Sequence, residues 1–158
     1  MDVKIDSAEG KFKFRVCGIL EHNGKYLAVK MNNNNFYCFP GGHVELGEDT
    51  QTAVLREMHE ELGYEVIIKK LVAINENFFL ADDGFKLHEI GYYYVVEAKD
   101  KSNVNFNDYL REELDKGKIQ HLNFKWFTLD ELRQADFRPK FVIDCINANS
   151  PIIKITRD

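Results

Sequence analysis

The chain has 158 residues, 44% of them hydrophobic and 30% charged, a balance that suits one folded domain with a single sizeable core. With 26 Asp and Glu against 21 Lys and Arg, it offers no long-range pull on polyanions. Extended nucleic-acid binding is therefore not expected, and a phosphate-bearing ligand must be held locally. No apolar run is long enough for a membrane span and no signal-peptide pattern opens the chain. Cys17, Cys38 and Cys145 are scattered, so the expectation is one cytoplasmic, reduced domain over residues 1–158.

Residues 12–20 alternate and then turn apolar, as a strand does that passes from half-exposed to buried. His22-Asn23-Gly24 is a hairpin signal that returns residues 25–31 as a second strand. Residues 32–35 read as a polar surface loop. Residues 36–39 read as a short strand that ends at a rigid turn, Pro40-Gly41-Gly42. A helix is predicted from Asp49 or Thr50 to a stop at Gly63, with Val54, Met58 and Leu62 as its buried row and Leu55 beside them. Residues 66–73 and 90–97 are predicted strands, joined by a connection over 78–87 around Asp82-Asp83-Gly84. A polar insertion over 103–118 is read with a short helix at 109–114. A strand over 123–127 follows, and Thr128 then caps a helix through Arg133 with Glu131 at the capping-box position. Residues 140–148 form a last packed helix and 152–155 a short edge strand. This order points to an α/β fold with a mixed sheet covered on both faces.

The stretch from Gly42 to Tyr64 gathers Glu48, Glu57, Glu60 and Glu61 around the predicted helix, next to Arg56. Acidic neighbours three and four apart cost an isolated helix about 0.2–0.5 kcal/mol per pair. The plain reading is a solvated face offset by Arg56 and nearby lysines. A glycine-rich lead-in, the extra acid at Glu48 and the aliphatic anchor favour another reading, a rigid platform for a hard divalent cation such as Mg2+. Such ions neutralise phosphate and activate water, and an adjacent arginine holds a carboxylate by a bidentate pair. The chemistry implied is metal-assisted hydrolysis at phosphorus.

The same segment resembles the signature of the Nudix hydrolases. It has Gly42, Glu48 after five residues, Arg56-Glu57 after seven more, Met58 as the aliphatic, Glu60-Glu61, Gly63 and Tyr64. Tyr64 departs from the usual smaller aliphatic, which bears on packing under the helix end. Phe39-Pro40-Gly41-Gly42 resembles the family's lead-in. Lys125-Trp126-Phe127, followed by Leu129-Asp130-Glu131-Leu132, resembles its C-terminal strand and helix. The resemblance covers residues 12–146.

It implies a Nudix-type α/β/α sandwich with a central mixed sheet. It also implies hydrolysis, dependent on Mg2+ or Mn2+, of a phosphoanhydride bond in a nucleoside diphosphate derivative such as an NTP or an NDP-sugar. The principal metal ligands it implies are Glu57, Glu60 and Glu61, with the Gly42 carbonyl contributing. Glu48 would brace the loop or bind metal through water, and Arg56 would orient Glu57. The general base falls to Glu57, to Glu60 or to an acid of a later loop. The alternative is a non-catalytic nucleotide-binding or scaffold module on the same fold, against which the complete acidic set argues.

Glu89 is either a further metal ligand from a neighbouring strand or a paired strand-end acid, while Glu112 and Glu113 in the insertion read first as a solvated face. Arg15 is a candidate phosphate or base contact, with Lys30 weaker, and His88 is a phosphate contact or a surface histidine. Phe12, Phe14, Phe78, Phe79 and Phe85 offer a stacking face for a nucleobase, of which one or two are expected to stack; Phe79 and Phe85 are the substrate candidates. Trp126 is expected to be structural. The partner expected is a small nucleotide-like substrate, not a membrane. A homodimer suits so small a domain, although no residue pattern asks for one.

Overall fold

The computed structural model describes residues 1–32, 34–115 and 117–157. β1 (Lys4–Asp6) lies beside β2 (Lys11–His22), which turns into β3 (Lys25–Met31) at Asn23-Gly24. There φ values of 50° and 75° supply the left-handed pair that a two-residue hairpin needs. After the short β4 (Gly41–His43) comes α1 (Thr50–Leu62). Asp49 starts this helix by accepting the Thr52 amide at 2.7 Å, and Gly63 ends it at φ 78°. β5 (Val66–Leu80) and β6 (Lys86–Ala98) form one long hairpin, and β7 (Tyr109–Asp115) and β8 (Lys118–Phe127) another. α2 (Leu129–Gln134), α3 (Phe141–Cys145) and β9 (Ile152–Arg157) complete the chain, with α2 capped by Thr128 Oγ1, which accepts the Glu131 amide at 3.2 Å.

Among the described residues nine strands make one sheet in the order β7-β8-β3-β2-β6-β5-β9, with β1 and β4 against β2. The sheet is mixed, since β2–β6 and β5–β9 are parallel and the other pairs antiparallel. Strand alternation divides the core in two. Val16, Leu20, Tyr94 and Val96 face α1, where Val54 and Met58 are fully buried. Cys17, Ile19, Tyr93 and Val95 face the other way, onto Leu132 of α2 and Val142 and Ile143 of α3. This is the sandwich the sequence implied. α1 lies close on the sheet because Gly18 beneath it has no side chain; a Cβ there would fall 2.3 Å from Met58 Sδ. β2 and β3 pair at Glu21–Tyr26 and His22–Lys25, beside their turn, and then part, while β4 takes the edge of β2 at Arg15, Val16 and Cys17.

Several expected elements differ. Residues 109–114 are strand, not helix, because β8 pairs with them from Tyr109–Phe124 to Asp115–Lys118 and the Tyr109 ring stacks on Phe124 at 4.7 Å. Residues 78–87 are not a loose connection, since Phe78 and Phe79 pair with His88 and Leu87 as the two strands run on. Residues 36–39 make isolated bridges, Cys38 to Val29 and Tyr37 to Phe137, while Gly41-Gly42, expected as a turn, is strand. Its backbone runs so near β2 that a Cβ on Gly41 would fall 2.0 Å from the Val16 carbonyl oxygen. Leu55 is 38% exposed, and Ala53 takes the buried place beside Val54. The helix expected over 140–148 shortens to α3. Asn33 of the loop over 32–35 and Lys116 of the insertion lie outside the described residues. No helix among the described residues is long and apolar enough to cross a membrane.

Candidate active site

Arg56 is the hub on the helix side. Its Nε and Nη2 donate to the two oxygens of Glu48 at 2.8 and 2.9 Å, its Nη1 to Glu57 Oε1 at 2.8 Å, and its Nη2 also to the His43 carbonyl at 3.0 Å. Glu48 accepts the Glu45 amide at 2.9 Å as well, so it ties the loop between β4 and α1 to the helix. Hydrogen bonds from Arg56, before any other cause, hold the Glu48 carboxyl below its usual range. Glu57 sits against Gly42, where a Cβ would fall 2.3 Å from its carboxylate; glycine leaves the space that the acid occupies. Glu61 lies one turn further along the same stripe. These two half-buried acids lean toward β4, so they do not form the solvated face that is the plain reading of the acidic cluster. Glu60 does point outward, with its side chain 55% exposed and 3.5 Å from Arg56 Nη1.

Crowding shows in the proton affinities. Burial pushes Glu57 up against the pull of Arg56. Glu61 is pushed up to about 8, by burial first and then by the charges of Glu57 and Glu113, against the smaller pull of Arg15 and the Gly41 amide. A divalent cation would relieve such an arrangement, and the donors are the hard oxygens that Mg2+ and Mn2+ take. Among the described residues, no three His, Cys, Asp or Glu side chains stand close enough to enclose an ion by themselves. In donor chemistry Glu57 and Glu61 fit a cation that completes its shell with backbone oxygen, water and substrate phosphate.

The strand side is differently built. Arg15 of β2 stands opposite His43 of β4, with its Nη1 3.9 Å from Glu89 Oε2 of β6. Its buried Nε has no hydrogen-bond partner among the described residues, and neither has His43 Nε2. Burial and the Arg15 charge lower His43 to about 4, so its ring is neutral near pH 7. Cys17 and Cys38 lie within the field of Arg15, Glu89 and Glu61; burial pushes their thiols up to about 12 and about 11, which removes them as nucleophiles.

The structure thus brings Gly42, Glu48, Arg56, Glu57, Glu60 and Glu61 to one place and sets Arg15 with Glu89 beside β4. It does not bring Phe79, Phe85 and His88 there. These three lie at the far end of the β5–β6 hairpin, with His88 Nε2 3.0 Å from Glu76 Oε1 and the Phe85 ring under Lys11 Nζ at 4.7 Å. Sequence reasoning missed Arg111, whose Nη1 and Nη2 donate to the Glu61 and Glu60 carbonyls at the end of α1, the second at 3.0 Å. Reading 109–114 as helix hid it. Strand alternation puts Arg111 and Glu113 on one face of β7, which explains why Glu113 bears on Glu61. Nothing in the sequence pointed to His43.

The NUDIX domain model matches residues 12–145. The chain belongs to the Nudix family. Within it, an ADP-ribose pyrophosphatase of Methanocaldococcus jannaschii is 42% identical over 62 residues, which are 37% of this chain and 37% of that protein. The matched segments span 37%, 38% and 43% of three curated relatives, well short of their full length. Among solved structures, a MutT protein from Bacillus halodurans has the same fold, with a TM-score of 0.61 at 15% identity over 92% of this Nudix chain and 89% of that one. A Nudix hydrolase from Nitrosomonas europaea is 26% identical, with a TM-score of 0.54 over 85% of each chain.

Proposed function

We propose that this Nudix chain is a divalent-metal-dependent hydrolase that cleaves a phosphoanhydride bond in a nucleoside diphosphate derivative, such as an NTP or an NDP-sugar. The observation that carries the reading is the Glu57 carboxylate seated in the space left by Gly42, with Glu61 crowded one turn away. Glu57 and Glu61 would hold Mg2+ or Mn2+, with the Gly42 carbonyl and Glu60 extending the donor set. A bound ion supplies charge neutralisation at phosphate and a more acidic water. Arg56 keeps Glu57 oriented, and Glu48 keeps Arg56 in place. Glu60, exposed and only loosely held, would be the carboxylate that accepts a proton from water. Arg15, with a donor unspent, holds a phosphate oxygen of the substrate, and Glu89 steadies Arg15. The relative from Methanocaldococcus jannaschii acts on ADP-ribose, a nucleoside diphosphate joined to another group, which supports this substrate class.

The test is hydrolysis across a nucleotide panel with Mg2+ or Mn2+, with products identified. Glu57→Gln and Glu61→Gln are expected to stay folded and to lose turnover, as the intact protein does in EDTA. Full turnover in both variants would sink the proposal.

A further inference from the structure

Away from the carboxylates, one level of the sheet carries a row of side chains in register across five strands. Ile5 pairs with Phe12, Phe12 with His88, His88 with Phe78 and Phe78 with Arg157. Residues in register point to the same face, here the face that α1 covers higher up. The row is continuous. Phe12 meets His88 edge-on with centroids 5.3 Å apart, His88 stacks on Phe78 at 4.3 Å and 23°, and the Arg157 guanidinium lies over Phe78 at 4.4 Å. Glu76 pins the His88 ring through Nε2.

This row is the floor of a wide-mouthed cavity of about 550 Å³, open to solvent and walled by the turn after β1 and by the end of the β5–β6 hairpin. That size lies within the roughly 300–1,000 Å³ of small-molecule pockets. On the next level of the same face Phe14 is in register with Ile90 and Glu76, and its ring meets that of Tyr92, one level higher, at 5.8 Å in the core that α1 covers. The charges around it run against the balance of the chain. Lys11, Lys86 and Arg157 line it against Glu9, in a protein of net charge −5. Lys11 is matched by Asp83 at 3.6 Å. Arg157 rests on an aromatic ring, which neutralises no charge and leaves guanidinium N–H groups for an anion.

We propose that this cavity is a second ligand site, separate from the carboxylates, for a planar aromatic ring carrying an anionic group, with a nucleoside monophosphate as its natural form. His88 and Arg157 cover the two faces of Phe78, so the row offers a base its ring edges, the edge-to-face arrangement that aromatic pairs favour, and a guanidinium grips phosphate through paired donors. The site stands whether or not the chain hydrolyses anhydrides.

Calorimetric titration of the full-length protein in EDTA tests it, with AMP, adenosine and inorganic phosphate as separate probes. AMP is expected to fill one site, with adenosine and phosphate each at least about tenfold weaker. Arg157→Gln and Phe78→Leu should each weaken AMP at least about tenfold, while Glu57→Gln leaves it unchanged. Arg157 is exposed on an edge strand, so Arg157→Gln should keep both its fold and its hydrolytic rate. In amide NMR spectra, shifts on adding AMP should centre on Phe12, Phe78 and His88. No saturable AMP binding up to millimolar concentration overturns the proposal. So does binding that Glu57→Gln abolishes and Arg157→Gln spares, which would place the nucleotide at the carboxylates.

Discussion

The helix side and the strand side of the site each contribute an arginine, and the two are used in opposite ways. Arg56 makes four hydrogen bonds of 3.0 Å or less, to Glu48, Glu57 and the His43 carbonyl. Arg15 has its nearest carboxylate at 3.9 Å and a buried Nε with no described partner. A guanidinium committed to its neighbours belongs to the scaffold. One with a buried donor unspent costs the fold about 1–3 kcal/mol and braces nothing. The same residue type is thus a brace on α1 and, in the function proposed, a substrate contact on β2.

The largest effect should come from breaking the brace. Arg56→Ala leaves Glu48 and Glu57 side by side without their cation. It is expected to lower unfolding stability by about 2–3 kcal/mol in urea, with turnover lost alongside. An unchanged urea midpoint would remove Arg56 from the scaffold. Arg15→Gln should do the reverse, removing an unmatched buried donor and so leaving stability unchanged or raising it by up to about 1–3 kcal/mol, while raising KM about tenfold. Equal destabilisation by both substitutions would erase the distinction. The third effect is a pH dependence and concerns Glu61. Its carboxyl is raised from 4.5 to about 8 in the folded chain, so the folded state holds a proton across that window that unfolding releases. Without metal, this contribution to stability falls as pH rises from 4.5 to 8. Glu61→Gln removes it, so the melting temperature of the variant should gain on that of the parent between pH 5 and pH 8 in EDTA, and Mg2+ should narrow the gap. A pH-independent difference would mean that the acid side of the site is not strained.

The parts legible in the sequence are those decided by local chemistry. Asp49 and Gly63 bracket α1 because a side-chain cap and a left-handed residue act within a turn of where they stand. Asn23-Gly24 closes its hairpin for the same reason. The parts misread are those decided at a distance. Residues 109–114 take their strand state from β8, and no local pattern announces that Tyr109 will stack on Phe124. Gly41-Gly42 looked like a turn because glycines usually serve turns, whereas here their missing side chains let β4 press against β2 and leave room for Glu57. The acids of the candidate site are grouped by their spacing in the sequence. Which of them lean inward is not legible there, because that depends on β4 arriving beneath the helix.

Gly18 sits under α1 and touches no group of the site. It nonetheless gauges the height at which the helix rides, since Met58 above it is fully buried and has little room to yield. An added methyl there would push the Met58 thioether aside or lift the helix, and lifting would carry the Glu57 carboxylate away from Gly42. In a mutational scan such a change would read as an active-site lesion, although it lies in the middle of the core.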